Sequence, residues 1–362
     1  MNSLRSKTGG QPGFALLAVL VILVILSLLA SNVALVSERA VRDAKQRIER
    51  ETYARDAFST RETLLYLLAT QRVTVAGLTV DEQLRTSTGE LRPISTEDLE
   101  EGVSSLPVGN EIRLDGTPYR GIGRVVFALQ DGRGLISANW SPWFVRKNLA
   151  EQLGSPPRAW PDLESMRLDY QDPDELTRPN GAERRDYVGL GLRPPTNRPI
   201  VTPIELRGMV GWASLLQPLD DAELMQRMTT TWDVFLNVNT APIENLALVP
   251  ELAPASASRA IDLRQLSPWT TTWSFADTFG LRREDVRDSL FLLPNGTGTL
   301  SLWDAGGGPV DLLHWTLTGA DEGGYPWRLD YDFVLPRPEE SAARSARTPP
   351  TELLAAPVPD RR

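Results

Sequence analysis

Residues Phe14 to Val36 read FALLAVLVILVILSLLASNVALV, an uncharged and largely apolar run. A helix needs about 20 such residues to cross the ~30 Å hydrocarbon core of a bilayer, and this run supplies them. Ahead of it lies a short polar leader, MNSLRSKTGGQPG, with Arg5 and Lys7 and no acid. A secretory signal has a shorter apolar stretch with a small-residue cleavage site after it. Here the small residue, Gly13, comes before the run. A cut after Gly13 would remove only the leader and leave the helix at a new N-terminus, Phe14. The basic leader holds that end in the cytoplasm by the positive-inside rule, so the rest of the chain is exported. Arg39, Arg42, Lys45 and Arg47 follow the span, but Glu38, Asp43, Glu49 and Glu51 are interleaved with them.

Composition narrows the remainder. The chain has 362 residues, a net charge of −9 and no cysteine. Export is compatible with the missing cysteines, since no disulfide is used and no thiol needs protection. An acidic chain is a poor ligand for phosphate backbones, which require clustered Lys and Arg. The 28 prolines and 27 glycines predict a loop-rich fold rather than a simple helical bundle.

The helix is expected to continue past the bilayer to about Thr70, because no Pro or Gly intervenes and Ala, Arg, Glu, Leu and Gln dominate. Ala40, Ile48, Tyr53, Phe58, Leu64, Leu65 and Leu68 form the apolar stripe expected to pack on a globular part. GIGRVVFALQDGRGLISAN (Gly121–Asn139) reads as strands joined by a tight Asp131-Gly132 turn. A Pro-rich acidic loop region follows from Pro156 to about Pro203, then a helical module from Ile204 to about Leu293. Leu312–Thr318 and Trp327–Val334 are further strand candidates. The tail from Pro336 to Arg362 has few large apolar residues and reads as disordered.

Three segments bear on chemistry. Asp169, Asp172, Asp174 and Glu175 fall within seven residues, with Asn180, Glu183 and Asp186 close behind. Oxygen donors at this density suit calcium, although the EF-hand spacing is absent and solvated loop acids are the plainer reading. Between Phe235 and Leu263, Thr240 is placed to cap a helix with Pro242 in its first turn, and a second helix follows the Pro250–Pro254 connection. That helix-hairpin-helix pattern lacks the glycine amides that meet phosphate, and Glu251 would repel it. His314, the one histidine, sits in the strand-like Leu-Leu-His-Trp and reads as structural. Nucleophile elbows and phosphate-cradling loops are absent, so no catalytic residue is assigned. The ten tryptophans read as core and contact residues rather than a carbohydrate platform.

Gly13, Phe14 and the apolar helix resemble the class 3 signal of type IV pilins and pseudopilins. Three downstream segments narrow the likeness: LDYQDPDELTRPNGAERRDY (Leu168–Tyr187), NRPIVTPIELRGM (Asn197–Met209) and FLNVNTAPIENLALVPEL (Phe235–Leu252). With these, nearly the whole chain before the tail resembles the general secretion pathway protein K family, the largest minor pseudopilin of type II secretion. The resemblance implies cleavage after Gly13 by prepilin peptidase and methylation of Phe14. It implies a position in the bacterial inner membrane with the head in the periplasm. The fifth mature residue is Ala18, where most of the superfamily has Glu. An unpaired carboxylate in lipid is expensive, and a subunit with nothing above it has no use for one, which implies the fibre tip.

The implied fold is α+β: a long N-terminal helix on a small antiparallel sheet, with a large helical insertion containing a SAM-like or helix-hairpin-helix module. The expected divisions are a leader at 1–13, a span at 14–36, a pseudopilin part at 37–148, an insertion at 149–293, returning strands at 294–335 and a tail at 336–362. The implied partners are the I and J minor pseudopilins, and no nucleic acid. Calcium is the implied ion, with Asp172, Asp174 and Glu183 as its ligands. The alternatives are a minor pilin of a type IV pilus, or a signal-anchored periplasmic enzyme or ligand-binding protein.

Overall fold

One helix, α1, runs from Pro12 to Thr70. It ends where the β-branched Val73, Thr74 and Val75 replace its helix formers. The computed structural model describes residues 12–81, 83–85, 91–93, 105–287, 289–319, 324–336 and 346–355. Leader residues 1–11 therefore lie outside the described residues, while Gly13 and Phe14 belong to the α1 backbone. The chain divides into two units, residues 1–55 and 56–362. In the first, the large apolar side chains from Leu16 to Val36 are exposed, on a helix long and apolar enough to cross a membrane.

In the second unit, the end of α1 buries Ala57, Thr60, Leu64, Leu65, Leu67 and Leu68. Each of these leucines stabilises the fold by roughly 1.5–3 kcal/mol relative to exposure. Phe58 departs from the expected stripe: it is exposed, and the Arg61 guanidinium lies over its ring at 5.0 Å. Thr60 Oγ1 accepts from the Ile122 amide at 3.1 Å and so ties α1 to the turn between the first two sheet strands.

Those strands are β1 (Asp115–Arg120) and β2 (Val125–Asp131). Three more complete the sheet after a long interruption: β3 (Thr297–Asp304), β4 (Val310–Leu317) and β5 (Trp327–Leu335). The order is β5-β4-β3-β2-β1, antiparallel throughout. β4 and β5 match the expected strands, whereas β3 has weak local signals because Gly and Ser dilute its apolar pattern. Gly298 is required there: a Cβ would strike the Gln130 carbonyl of β2 and the Trp315 ring of β4.

Asp131 and Gly132 do not form a hairpin. β2 stops at Asp131, a 3-10 turn follows over Gly132–Gly134, and the chain enters the insertion, which returns only at β3. The sheet is thus interrupted from 132 to 296, a wider interval than 149–293. The reason is the Asp131 carboxylate, which is fully buried. It accepts from Asn237 Nδ2 (3.0 Å), Thr240 Oγ1 (2.7 Å), and the amides of Asn295 (3.0 Å) and Arg133 (3.1 Å). A second tie is made by buried Arg264, which donates to the carbonyls of Val238 (2.9 Å) and Ala241 (2.6 Å) and faces Asp115 at 3.8 Å. The Asn-Val-Asn-Thr-Ala-Pro run is therefore the joint between sheet and insertion.

Two stretches expected to lack regular structure have it. The acidic loop region contains helix α2 (Trp160–Gln171), which buries Trp160, Leu163 and Tyr170. In the tail, Arg347 bridges β1 beside Tyr119: its carbonyl accepts from Arg120 at 2.8 Å and its amide reaches Pro118 at 2.9 Å. Ala346 and Leu354 are buried there, so this short segment covers an otherwise free sheet edge.

Candidate metal centre

The end of α2 and the start of the next helix, α3 (Arg184–Gly189), bring three carboxylates together. Asp169 is fully buried, Asp172 half-buried, and Glu183 is 2% exposed. One oxygen from each lies within 4.8 Å of the others. Asp169 and Asp172 are three residues apart at the helix exit, which puts them on one side. The two helices are held by their aromatic faces. The Tyr170 and Tyr187 rings sit 6.1 Å apart, and Tyr187 Oη accepts from the Val210 amide at 3.0 Å.

The loop between them closes through a turn in which the Gly181 amide donates to the Arg178 carbonyl at 2.9 Å. Asn180 takes the left-handed conformation there, with φ +59°. Gly181 admits no side chain, because a Cβ would collide with the Asp169 carboxylate. Asp186 Oδ2 accepts from the Glu183 amide at 3.0 Å and sets the first turn of α3.

Arg178 supplies positive charge to the group. Its amide donates to Asp169 Oδ2 at 3.1 Å, and its Nη1 bonds Asp169 Oδ1 at 2.6 Å as well as Asp172 Oδ2. Three acceptors are left over: Asp172 Oδ1 and both Glu183 carboxylate oxygens are buried without a hydrogen-bond partner. Leaving such groups unmatched is costly. Burial first, then the charges of Asp169 and Asp172, push the Glu183 carboxyl up to about 7. Buried oxygens without donors, and no nitrogen or sulfur ligand among the three, make a donor set suited to a hard cation.

Asp172 and Glu183 are thus adjacent, and Asp169 takes the third place in which Asp174 was expected. Asp174 is exposed, and its carboxylate accepts from the Leu176 amide of its own loop at 2.8 Å. Its short bond to a nearby amide keeps it out of the group, whereas Asp169 is carried in by the last turn of α2. Glu175 pairs with Arg184 at 3.3 Å, and Asn180 donates to Asp162 at 2.9 Å. The i, i+3 spacing of Asp169 and Asp172 was the signal available in the sequence.

The other singled-out residues have structural surroundings. Thr240 caps no helix: Pro242 stands at the N-cap of Ile243–Leu246, and the Thr240 hydroxyl is spent on Asp131. The second helix of the pair, Pro254–Leu266, follows a connection in which Glu251 has φ +65° and faces Arg282 at 3.4 Å. His314 is buried on β4, stacked on Tyr331 at 4.8 Å, with Nδ1 2.8 Å from Asp330 Oδ2. Thr316 and Arg328 donate to the same carboxylate. Burial would raise Asp330, but these three hydrogen bonds overcome it and bring the group to about 2. Ala18 lies in α1, half-buried.

Comparison with protein-family models finds no match, and comparison with curated proteins finds none. Five chains of solved structures match. One belongs to the GspK-GspI-GspJ complex of the type 2 secretion system of enterotoxigenic Escherichia coli. It is 12% identical with a TM-score of 0.48, and the match covers 81% of this chain and 98% of that one.

Proposed function

We propose that this chain is a minor pseudopilin of the K type, acting at the tip of a type II secretion pseudopilus. The observation that carries the reading is α1: one unbroken helix from Pro12 to Thr70, with an apolar exposed first part and a C-terminal end buried in its own unit. A helix of that kind serves first as a membrane anchor and then as the core of a fibre. Prepilin peptidase would cut after Gly13 on the cytoplasmic side of the inner membrane, with the remainder in the periplasm. Ala18 supports the tip position, since a subunit with no neighbour above needs no carboxylate in lipid. The insertion between β2 and β3 supports it too, by widening the head beyond what stacks along a shaft. The partners are the I and J minor pseudopilins, and the role is assembly rather than catalysis.

Asp169, Asp172 and Glu183 would hold a calcium ion. Bound there, it supplies the positive charge that the buried Glu183 lacks and fastens the end of α2 to the start of α3. Co-expression with prepilin peptidase tests the central reading. Mass spectrometry should find a chain beginning at N-methylated Phe14 that co-purifies with the I and J pseudopilins. A retained Met1, or labelled protein distributed along the fibre shaft, would overturn it.

A further inference from the structure

Arg178 occupies the carboxylates that a cation between Asp169, Asp172 and Glu183 would use. Its Nη1 is bonded to Asp169 Oδ1 and Asp172 Oδ2, yet its side chain is 36% exposed and rises from a turn rather than a helix. We propose that Arg178 is a built-in competitor for this site: its guanidinium neutralises Asp169 and Asp172 when no metal is bound, and a divalent cation enters by displacing it. Arg178 thereby sets the cation affinity and couples the 172–181 loop to occupancy. This rests on the calcium reading above.

Three observations carry the competition. First, Arg178 already bonds two of the three carboxylates that a cation would use, Asp169 and Asp172, and two positive charges beside them repel each other. Second, Arg178 is an incomplete substitute for metal. One planar guanidinium satisfies Asp169 and half of Asp172, and leaves both oxygens of the buried Glu183 without a donor. Third, the exchange need not unfold the loop. The Arg178 amide stays on Asp169 at 3.1 Å and the Gly181 amide stays on the Arg178 carbonyl at 2.9 Å, so the head group alone swings toward solvent. A site whose competent form is a minor population binds more weakly by that fraction, and removing the competitor recovers the lost affinity.

The test is a calorimetric calcium titration of the full chain in detergent micelles, comparing the unaltered protein with Arg178→Ala, Arg184→Ala and Glu183→Gln. Arg178→Ala is expected to bind calcium about tenfold more tightly or better. Arg184→Ala removes a neighbouring charge paired to Glu175 instead, and is expected to leave affinity unchanged. Glu183→Gln is expected to weaken binding. Without calcium, Arg178→Ala should melt below the unaltered protein and recover when calcium is added. If that variant folds only with the ion, it is prepared in excess calcium and a chelator titration yields the same constant. Equal or weaker binding by Arg178→Ala, or equal tightening by Arg184→Ala, overturns the competitor role and leaves the metal reading intact. Absence of calcium binding in both the unaltered protein and Arg178→Ala overturns the metal reading and the inference with it.

Discussion

Asn237 Nδ2 donates to Asp131 Oδ2 at 3.0 Å, between two fully buried residues 106 positions apart in the chain. Asp131 ends the second strand of the sheet, and Asn237 opens the Asn-Val-Asn-Thr-Ala-Pro run of the insertion. Thr240 adds a second bond to the same oxygen at 2.7 Å. The pair fixes where the insertion leaves the sheet.

Replacing Asn237 with Asp would set two buried carboxylates against each other and remove a donor. A loss of about 3 kcal/mol is expected, from the unsatisfied buried group and the added charge. Urea unfolding of the full chain in detergent measures it, and a change below about 0.5 kcal/mol would show that the joint is not stressed by the exchange.

Stability should also depend on pH through Asp131. Burial raises its carboxyl from 3.8 to about 6, against the hydrogen bonds of Thr240, Asn295, Arg133 and Asn237. The folded state therefore holds this proton more tightly than the unfolded chain. The contribution is fully present below about pH 3.8 and is lost as pH rises through about 6. Over that window it amounts to roughly 3 kcal/mol. Unfolding measured from pH 4 to 7 should show a fall in Asp131 protein that Asp131→Asn lacks, and parallel curves would refute the assignment.

Gly298→Ala tests the tight passage of β3. Its Cβ would press on the Gln130 backbone carbonyl and the Trp315 ring, neither of which is free to withdraw. Overpacking of about 1–3 kcal/mol is expected, read as a lower melting temperature. An unchanged melting temperature would mean that the sheet relaxes around the methyl group.

Gly13→Val bears on processing. With prepilin peptidase present, the intact mass should retain residues 1–13, because the branched side chain crowds the bond to be cut. Normal release of the leader from this variant would separate the cleavage from Gly13.

Features resting on neighbours in the chain were legible. The apolar run, the absence of Pro and Gly up to Thr70, and the strands around Leu312 and Trp327 follow from hydropathy and propensity. At three places a distant partner overrides the local signal. Asp131-Gly132 has the composition of a hairpin turn, but three donors from distant segments claim the Asp131 carboxylate. Thr240 has the position of a helix cap, but Asp131 claims its hydroxyl. Arg347 lies in a tail of unstructured composition, yet the open edge of β1 offers its backbone a partner at 2.8 Å.

By itself, the sequence determined the long helix, its apolar first part and the α+β character, because helix formation and membrane compatibility depend on residues within a few turns of one another. Only the tertiary structure decided that Asp169 rather than Asp174 joins Asp172 and Glu183, and that Arg178 stands among them. Burial and charge contact depend on which segments pack together, and it is the Tyr170–Tyr187 packing of two helices that closes this group.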